Sequence, residues 1–382
     1  MKRIVFVTLC LLANLCSIAQ SASSKEILYI GTFADRGSKG IYVLNFDRTN
    51  GKISELQTVS DGAGPSFLAI HPNKKFLYAI YGKGVGATSQ NGSVIAYQIN
   101  PADGKLTKLG SEQPSEGNDP CHVSVDPKGR FIYVSNYGTG SLSVYPIQKD
   151  GSVGKVADVI QHQGKSVNPA RQQGPHMHSI IPSPDGKWIY ATDLGLDKIM
   201  IYAVNPTTGK LSPASKPFAA SVPGAGPRHL AIHPNGNFAY SAEELSSKVA
   251  VYKVDKATGG LTPVEQVTML PENFTEKSYA ADIHLSPDGK FLYASNRGHN
   301  SLAIYKVDPQ AGKLTVVGHE ATHGGHPRNF CVDAKGELVF VTNRDNDNVV
   351  VFKRDKATGK LTYTGWETKV PMAVCVQQLF LK

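Results

Sequence analysis

Cysteine and tryptophan are scarce in this chain: five and two among 382 residues. Two of the cysteines, Cys10 and Cys16, fall in the first twenty residues. The remaining three, Cys121, Cys331 and Cys375, are too few for a disulfide scaffold, and none has metal-ligand spacing. They read as small buried hydrophobes, with a Cys331–Cys375 bridge as a minor alternative in an oxidising compartment. Beyond the N-terminus there is no long apolar run, so no membrane-spanning segment is expected there. The chain has no HExxH and no GxSxG elbow. Apolar residues do not recur at the three-and-four spacing of helices, which excludes a helical solenoid. Lysine and arginine exceed acids by a formal +9, but in no cluster and with no aromatic interleaving, so no nucleic-acid partner is expected. The surplus licenses only an attraction for small anions.

The first residues are of another kind. Lys2 and Arg3 precede an apolar stretch from Ile4 to Leu15, and Ser17-Ile18-Ala19 supplies small residues for cleavage. Residues 1–19 read as a secretory signal too short to span a bilayer, which places the mature protein in the periplasm or outside the cell. A lipoprotein signal at Cys16 is a poor fit, because Leu15 is bulky where a small residue is needed. If the segment is not a working signal, the protein stays cytoplasmic.

From there on, one phrase recurs. HPNKKFLY (71–78), DPKGRFIY (126–133), SPDGKWIY (183–190), HPNGNFAY (233–240), SPDGKFLY (286–293) and DAKGELVF (333–340) each follow a short apolar stretch and precede a second strand, a polar loop and a third strand. Glycine-bearing turns such as NPADGKL and DKATGKL lead to a fourth, weaker strand. Four short strands every fifty or so residues is the arithmetic of a β-propeller blade. The mature chain opens on EILYIGTF, KGIYVLNF and KISELQTV, matching strands two to four, and closes on PMAVCVQ, matching strand one. The expectation is an all-β, seven-bladed propeller over residues 25–382, closed by the C-terminal strand completing the N-terminal blade.

In such a ring the start of strand one and the loop after strand two share the channel mouth. The pairs opening strand one are Pro65-Ser66, Pro120-Cys121, Pro175-His176, Pro227-Arg228, Ala280-Ala281, Pro327-Arg328 and Pro371-Met372. The loops add Asn136-Tyr137, Asp193, Asp197, Glu243-Glu244, Asn296-Arg297 and Asn343-Arg344. Polarity gathers in blades four to seven. Arginines offer donor forks to a carboxylate or phosphate, a carboxylate can hold water, and an imidazole can move a proton. The competing reading is a network of neutralised charges that ties blades together. His71, Asp126 and His233, which repeat with the turns, are structural. His176 and His178, joined by His229 or His284, and His319, His323 and His326 are weak metal candidates, and no metal or other cofactor is expected.

The stretches GAGPRHLAIHPNGNFAYSAEELSSKVAVY (224–252) and MLPENFTEKSYAADIHLSPDGKFLYASNRGHNSLAIY (269–305), with GPHMH (174–178) and HPRNF (326–330), resemble the bacterial propeller-type 6-phosphogluconolactonases. These are related to the fungal carboxymuconate-lactonizing enzymes. The resemblance covers the whole mature chain. It implies a seven-bladed propeller, a lactonase activity and a catalytic set at His176, Arg228, Glu244 and Arg297. Arg228 and Arg297 would bind an anion or polarise the carbonyl, Glu244 (or its neighbour Glu243) would activate water, and His176 would protonate the leaving oxygen. His178, His229, Arg328, Arg344, Asn136 and Asp193 are the substrate-binding candidates. The expected partner is a small anionic or sugar-derived lactone, phosphorylated or not, and the expected state a monomer or weak dimer. The alternatives are a different ring-opening or lyase reaction on a sugar-derived acid, and a non-catalytic exported propeller. The last predicts that the mouth arginines pair with Asp193, Asp197 and Glu243, leaving no pocket. The enzyme predicts an open cleft faced by Glu244 and His176.

Overall fold

Alternating apolar stretches punctuated by glycine turns form seven four-stranded antiparallel sheets, each in the order inner to outer. The computed structural model describes residues 25–62, 64–82 and 91–381, so the leader expected at 1–19 lies outside the described residues. No helix among the described residues is long and apolar enough to cross a membrane. Inner strands of blades two to seven are Pro65–Ile70, Pro120–Val125, Met177–Pro182, Pro227–Ile232, Tyr279–Leu285 and Pro327–Val332. Blade one takes its inner strand, Ala373–Phe380, from the C-terminus and its other three from the N-terminus. Cys375 opposes Gly31 and Phe380 opposes Glu26. Six copies of the repeated phrase serve seven blades because the phrase is the turn from strand one to strand two. In blade one the two chain ends replace that turn, and the Leu381 amide donates to the Lys25 carbonyl at 2.9 Å. Closure leaves no inner edge open to another chain.

Seven of the core clusters each straddle two blades, as where Tyr240 and Val251 of blade five meet Leu292 and Ala303 of blade six. Burial of such a side chain stabilises by roughly 1.5–3 kcal/mol. The repeated phrase supplies the polar fasteners between blades. The final tyrosine donates to the carbonyl of a turn glycine in the next blade: Tyr78 to Gly151 at 3.0 Å, Tyr240 to Gly312 at 3.1 Å and Tyr293 to Gly359 at 2.8 Å. His71 and His233 lie 3.1 Å from the carbonyls of Gly129 and Gly289, and Asp126 holds Arg130. These repeating polar residues are thus structural, as their periodicity indicates. The three cysteines among the described residues are free, so the Cys331–Cys375 bridge is not formed.

Gly312 shows why the outer turns demand glycine. Its φ is +71°, a left-handed conformation, and a Cβ there would land on the Phe238 ring of the preceding blade. We expect Gly312→Ala to lower stability by about 2 kcal/mol, seen as a lower thermal midpoint with the fold retained. An unchanged midpoint would mean that this turn carries no strain-sensitive packing.

Candidate active site at the channel mouth

The inner strands do not run straight into the mouth. Each slips register by one residue near its start, a β-bulge that re-aims a side chain. The residue left over is Ser66, Cys121, His178, Arg228, Arg328 or Val374, and in blade six the slip spans Ala281-Asp282. A second ring comes from the ends of the second strands, where Phe33, Tyr137, Glu244 and Arg297 stand. Together these rings enclose a cavity of about 200 Å³.

The bulges correct two of the expected pairs. Met177, not Pro175, opposes Asp193, and Ala373, not Pro371, opposes Thr32. His178 and Val374 therefore hold the places assigned to His176 and Met372. His176 precedes its strand and does not line the cavity. Its ring stacks on Tyr137 with centroids 4.6 Å apart, its Nδ1 is 3.1 Å from the Tyr137 carbonyl, and its amide donates to Asp193. The Tyr137 ring itself lines the cavity.

Glu244 is the centre of the site. Only 4 % exposed, it meets three guanidinium groups: Arg171 Nη2 at 2.6 Å from Oε1, and Arg228 Nε at 3.0 Å and Arg297 Nη2 at 2.8 Å from Oε2. Burial by itself would raise its pKa, but Arg297, Arg228 and Arg171 outweigh burial and hold the carboxyl well below the usual range. Both oxygens are committed, and a carboxylate so stabilised is a weak base. Arg228, 1 % exposed, also donates to the Ala281 carbonyl at 2.7 Å, and Arg297 donates to that of Ala280 at 2.6 Å. Burial, then the Arg297 charge, bring Arg228 down to about 10. Arg328 lines the same cavity with its guanidinium 5.0 Å from the centre of the Phe33 ring, and no carboxylate among the described residues is within ion-pair distance of it. The lining thus sets four arginines against Glu244 and Asp119.

The other candidates divide. His178 and His229 line the cavity floor. Burial and the charge on Arg228 hold both imidazoles below their ordinary pKa, His229 at about 4, so both are neutral at physiological pH. Asn136, Asp193 and Arg344 do not line it. Asn136 donates to the Ser115 carbonyl on the outer strand of the preceding blade, and Arg344 pairs with Asp345 at 2.7 Å on the rim. Asp193 accepts from the amides of His176, Gly195 and Leu196 and lies 2.7 Å from His162. Its neighbour Asp197 accepts from Ser166 and from the amides of Gly224 and Gly226. Neither Asp193 nor Asp197 touches a mouth arginine. Together they hold the connection 162–176, which carries Arg171 to Glu244, with Gln172 bonded to the Leu194 carbonyl as a further anchor.

Arg171 is the residue that the repeat alignment missed. It belongs to no strand, so periodicity carries no sign of it. The available signal was the unusual length of the 162–176 connection between blades. Of the doubled acids, Glu244 faces the cavity while Glu243 is buried within blade five. His319, His323 and His326 do not converge: His319 lies against the Met269 carbonyl, His323 stacks on Tyr363, and His326 is 3.9 Å from Asp345.

The fold and the pocket define a propeller with a built, cationic, water-sized-to-sugar-sized cavity at one mouth of its channel. Residues 27–378 match the model of the lactonase family of seven-bladed β-propellers, and the chain belongs to that family. It is 37 % identical to a 6-phosphogluconolactonase of Bacillus subtilis over 81 % of this chain and 86 % of that one. A 6-phosphogluconolactonase of Formosa agariphila is 36 % identical over 80 % and 86 % of the two chains. Among solved structures, the periplasmic gluconolactonase of Pseudomonas aeruginosa superposes with a TM-score of 0.88 at 32 % identity, covering 94 % of this chain and all of that one.

Glu243 offers a test of the electrostatics. Burial raises its pKa to about 8, so the folded protein holds a proton that the unfolded chain releases near pH 4.5. Its contribution to stability is full below pH 4.5, falls as pH rises, and is lost above pH 8. Glu243→Gln keeps the shape of the protonated acid. We expect it to match the wild type at pH 4.5 and to exceed it by roughly 2–4 kcal/mol at pH 8 in denaturant melts. Parallel pH profiles would show that Glu243 is ionised in the fold.

Proposed function

We propose that this protein is an exported lactonase that opens the ring of a small sugar-derived lactone bearing an anionic group, of the 6-phosphogluconolactone or aldonolactone class. The observation that carries the reading is the charge imbalance of the cavity. Three guanidinium groups share one carboxylate, and the fourth, on Arg328, has none among the described residues. A cavity of about 200 Å³ is smaller than the ~300–1,000 Å³ of drug-sized pockets, which suits one ring and not a polymer. The names of the relatives point to the same substrate class, and that of the Pseudomonas neighbour to the periplasm, consistent with the signal-like residues 1–19.

In this reading Arg328 receives the substrate's anionic group, and Arg228 and Arg297 turn their free donors to the carbonyl oxygen as it gains charge. Glu244 orients those guanidiniums instead of activating water, since its own proton affinity is spent on them. Arg171 closes the set by pairing with Glu244 in the same lining as Tyr137. His176 acts at one remove, by fixing Tyr137. A protein built only to bind other proteins would not need mouth arginines free of Asp193, Asp197 and Glu243.

The test is acid release followed in a pH-stat from 6-phosphogluconolactone and from gluconolactone, against spontaneous hydrolysis. We expect wild-type protein to accelerate at least one of them. Arg328→Ala should raise KM for the phosphorylated lactone at least tenfold, the loss of one charged contact worth about 1.5–3 kcal/mol, while leaving KM for gluconolactone within about threefold. Wild-type protein that accelerates neither lactone would contradict the reading.

A further inference from the structure

Two cavities follow one another along the propeller axis. Behind the mouth cavity lies a second of about 450 Å³, whose polar lining includes His122, Asp282, His284, Asn329 and Gln377. His229 and Phe67 line both, so they form the partition between them.

His229 is held on one side only. Its Nδ1 lies 2.7 Å from Asp282 Oδ1. The other oxygen of Asp282 accepts from His284 Nε2 at 2.8 Å, Asn329 Nδ2 at 2.5 Å and the Phe330 amide at 3.2 Å. Asp282 is 2 % exposed, and burial opposes its charge, yet its imidazole partners hold its pKa well below the usual range. An ionised carboxylate can only accept, so the proton between the two residues sits on Nδ1. In a neutral ring that leaves a lone pair on Nε2. This atom is buried and has no hydrogen-bond partner among the described residues. The rings of His178, His122 and Phe67 pack about the His229 imidazole at steep angles, with centroids 5.3–5.9 Å from its own. The charged or titratable groups about His229 are Arg228, Asp282, His284, His178 and His122. A buried histidine kept for packing alone normally satisfies both nitrogens.

We propose that His229, through Nε2, takes the proton from the water that attacks the lactone, with Asp282 as its positioning residue and His284 and Asn329 fixing Asp282. The assignment rests on the lactonase reading above. As the water oxygen bonds to the carbonyl carbon, its proton passes to Nε2 and the carbonyl electrons move to the oxygen facing the arginines. Collapse of that intermediate breaks the bond from the carbonyl carbon to the ring oxygen, and the ring oxygen takes the proton back from Nε2. The hydroxy acid that results ionises and releases one proton to solvent. Asp282 fixes the tautomer and offsets the transient imidazolium charge, as a buried carboxylate does beside other catalytic histidines.

The experiment compares wild-type protein, His229→Ala, His229→Gln and Asp282→Asn on gluconolactone in the pH-stat. We expect both His229 variants to lose about 10²–10⁴ in kcat, with KM changed less than threefold. Asp282→Asn should lose about 10–100-fold, also in kcat. Added imidazole should restore turnover by His229→Ala in a saturable way, above the rate imidazole gives without protein. A purely structural histidine would give no such rescue. A kcat within threefold of wild type in either His229 variant, or a loss that imidazole does not restore, would overturn the proposal. If the variants do not fold, the imidazole ¹⁵N shifts of wild-type protein decide: a bare Nε2 and protonated Nδ1 on His229 support it, the opposite tautomer sinks it. Wild-type protein inactive on every lactone would instead sink the lactonase reading, and this assignment with it.

Discussion

The site depends on one buried carboxylate shared by three arginines. Without Glu244, Arg171, Arg228 and Arg297 would repel one another in a space that admits little water, and desolvation would add to the cost. With it, two of them also reach backbone carbonyls of blade six, so the ion cluster ties neighbouring blades together at the point where the pocket opens. The same cluster sets the chemistry. It lowers the basicity of Glu244, adds to burial in keeping neighbouring imidazoles neutral and leaves the cavity with positive charge to spare.

The propeller makes that cluster possible by bringing distant segments to one circle. Arg228 and Glu244 come from blade five, Arg297 from blade six and Arg171 from the connection that leads into blade four, and no local motif joins them. Blades contribute through two kinds of position, the bulge of the inner strand and the end of the second strand. The bulge is what turns a residue of the inner strand towards the mouth. Ring closure by the C-terminal strand gives the circle its rigidity, and the polar fasteners at the opposite face keep blades in register while the mouth positions vary.

The fold was legible because its causes are local and repeated. A turn phrase written six times, with the seventh replaced by two chain ends, specifies both blade number and closure. Arg228, Glu244 and Arg297 were legible too, since they occupy equivalent places in aligned repeats. His176 was misplaced by two residues because sequence alignment follows the proline, whereas pairing to Asp193 starts at Met177. Asp193 and Asn136 carry polar side chains at mouth positions, yet their hydrogen bonds go to a connecting loop and to the preceding blade. Arg171 left no periodic trace, and the Asp282–His229 pair joins adjacent blades through the channel wall, a contact that no single repeat displays.

The most direct test of the surplus positive charge is a calorimetric titration of the protein with 6-phosphogluconate and with gluconate, the ring-opened acids, at low and moderate salt. The account predicts saturable binding of at least the phosphorylated acid, weakened by salt and weakened at least tenfold in Arg328→Ala. No binding of either acid, or binding indifferent to both salt and Arg328, would contradict it.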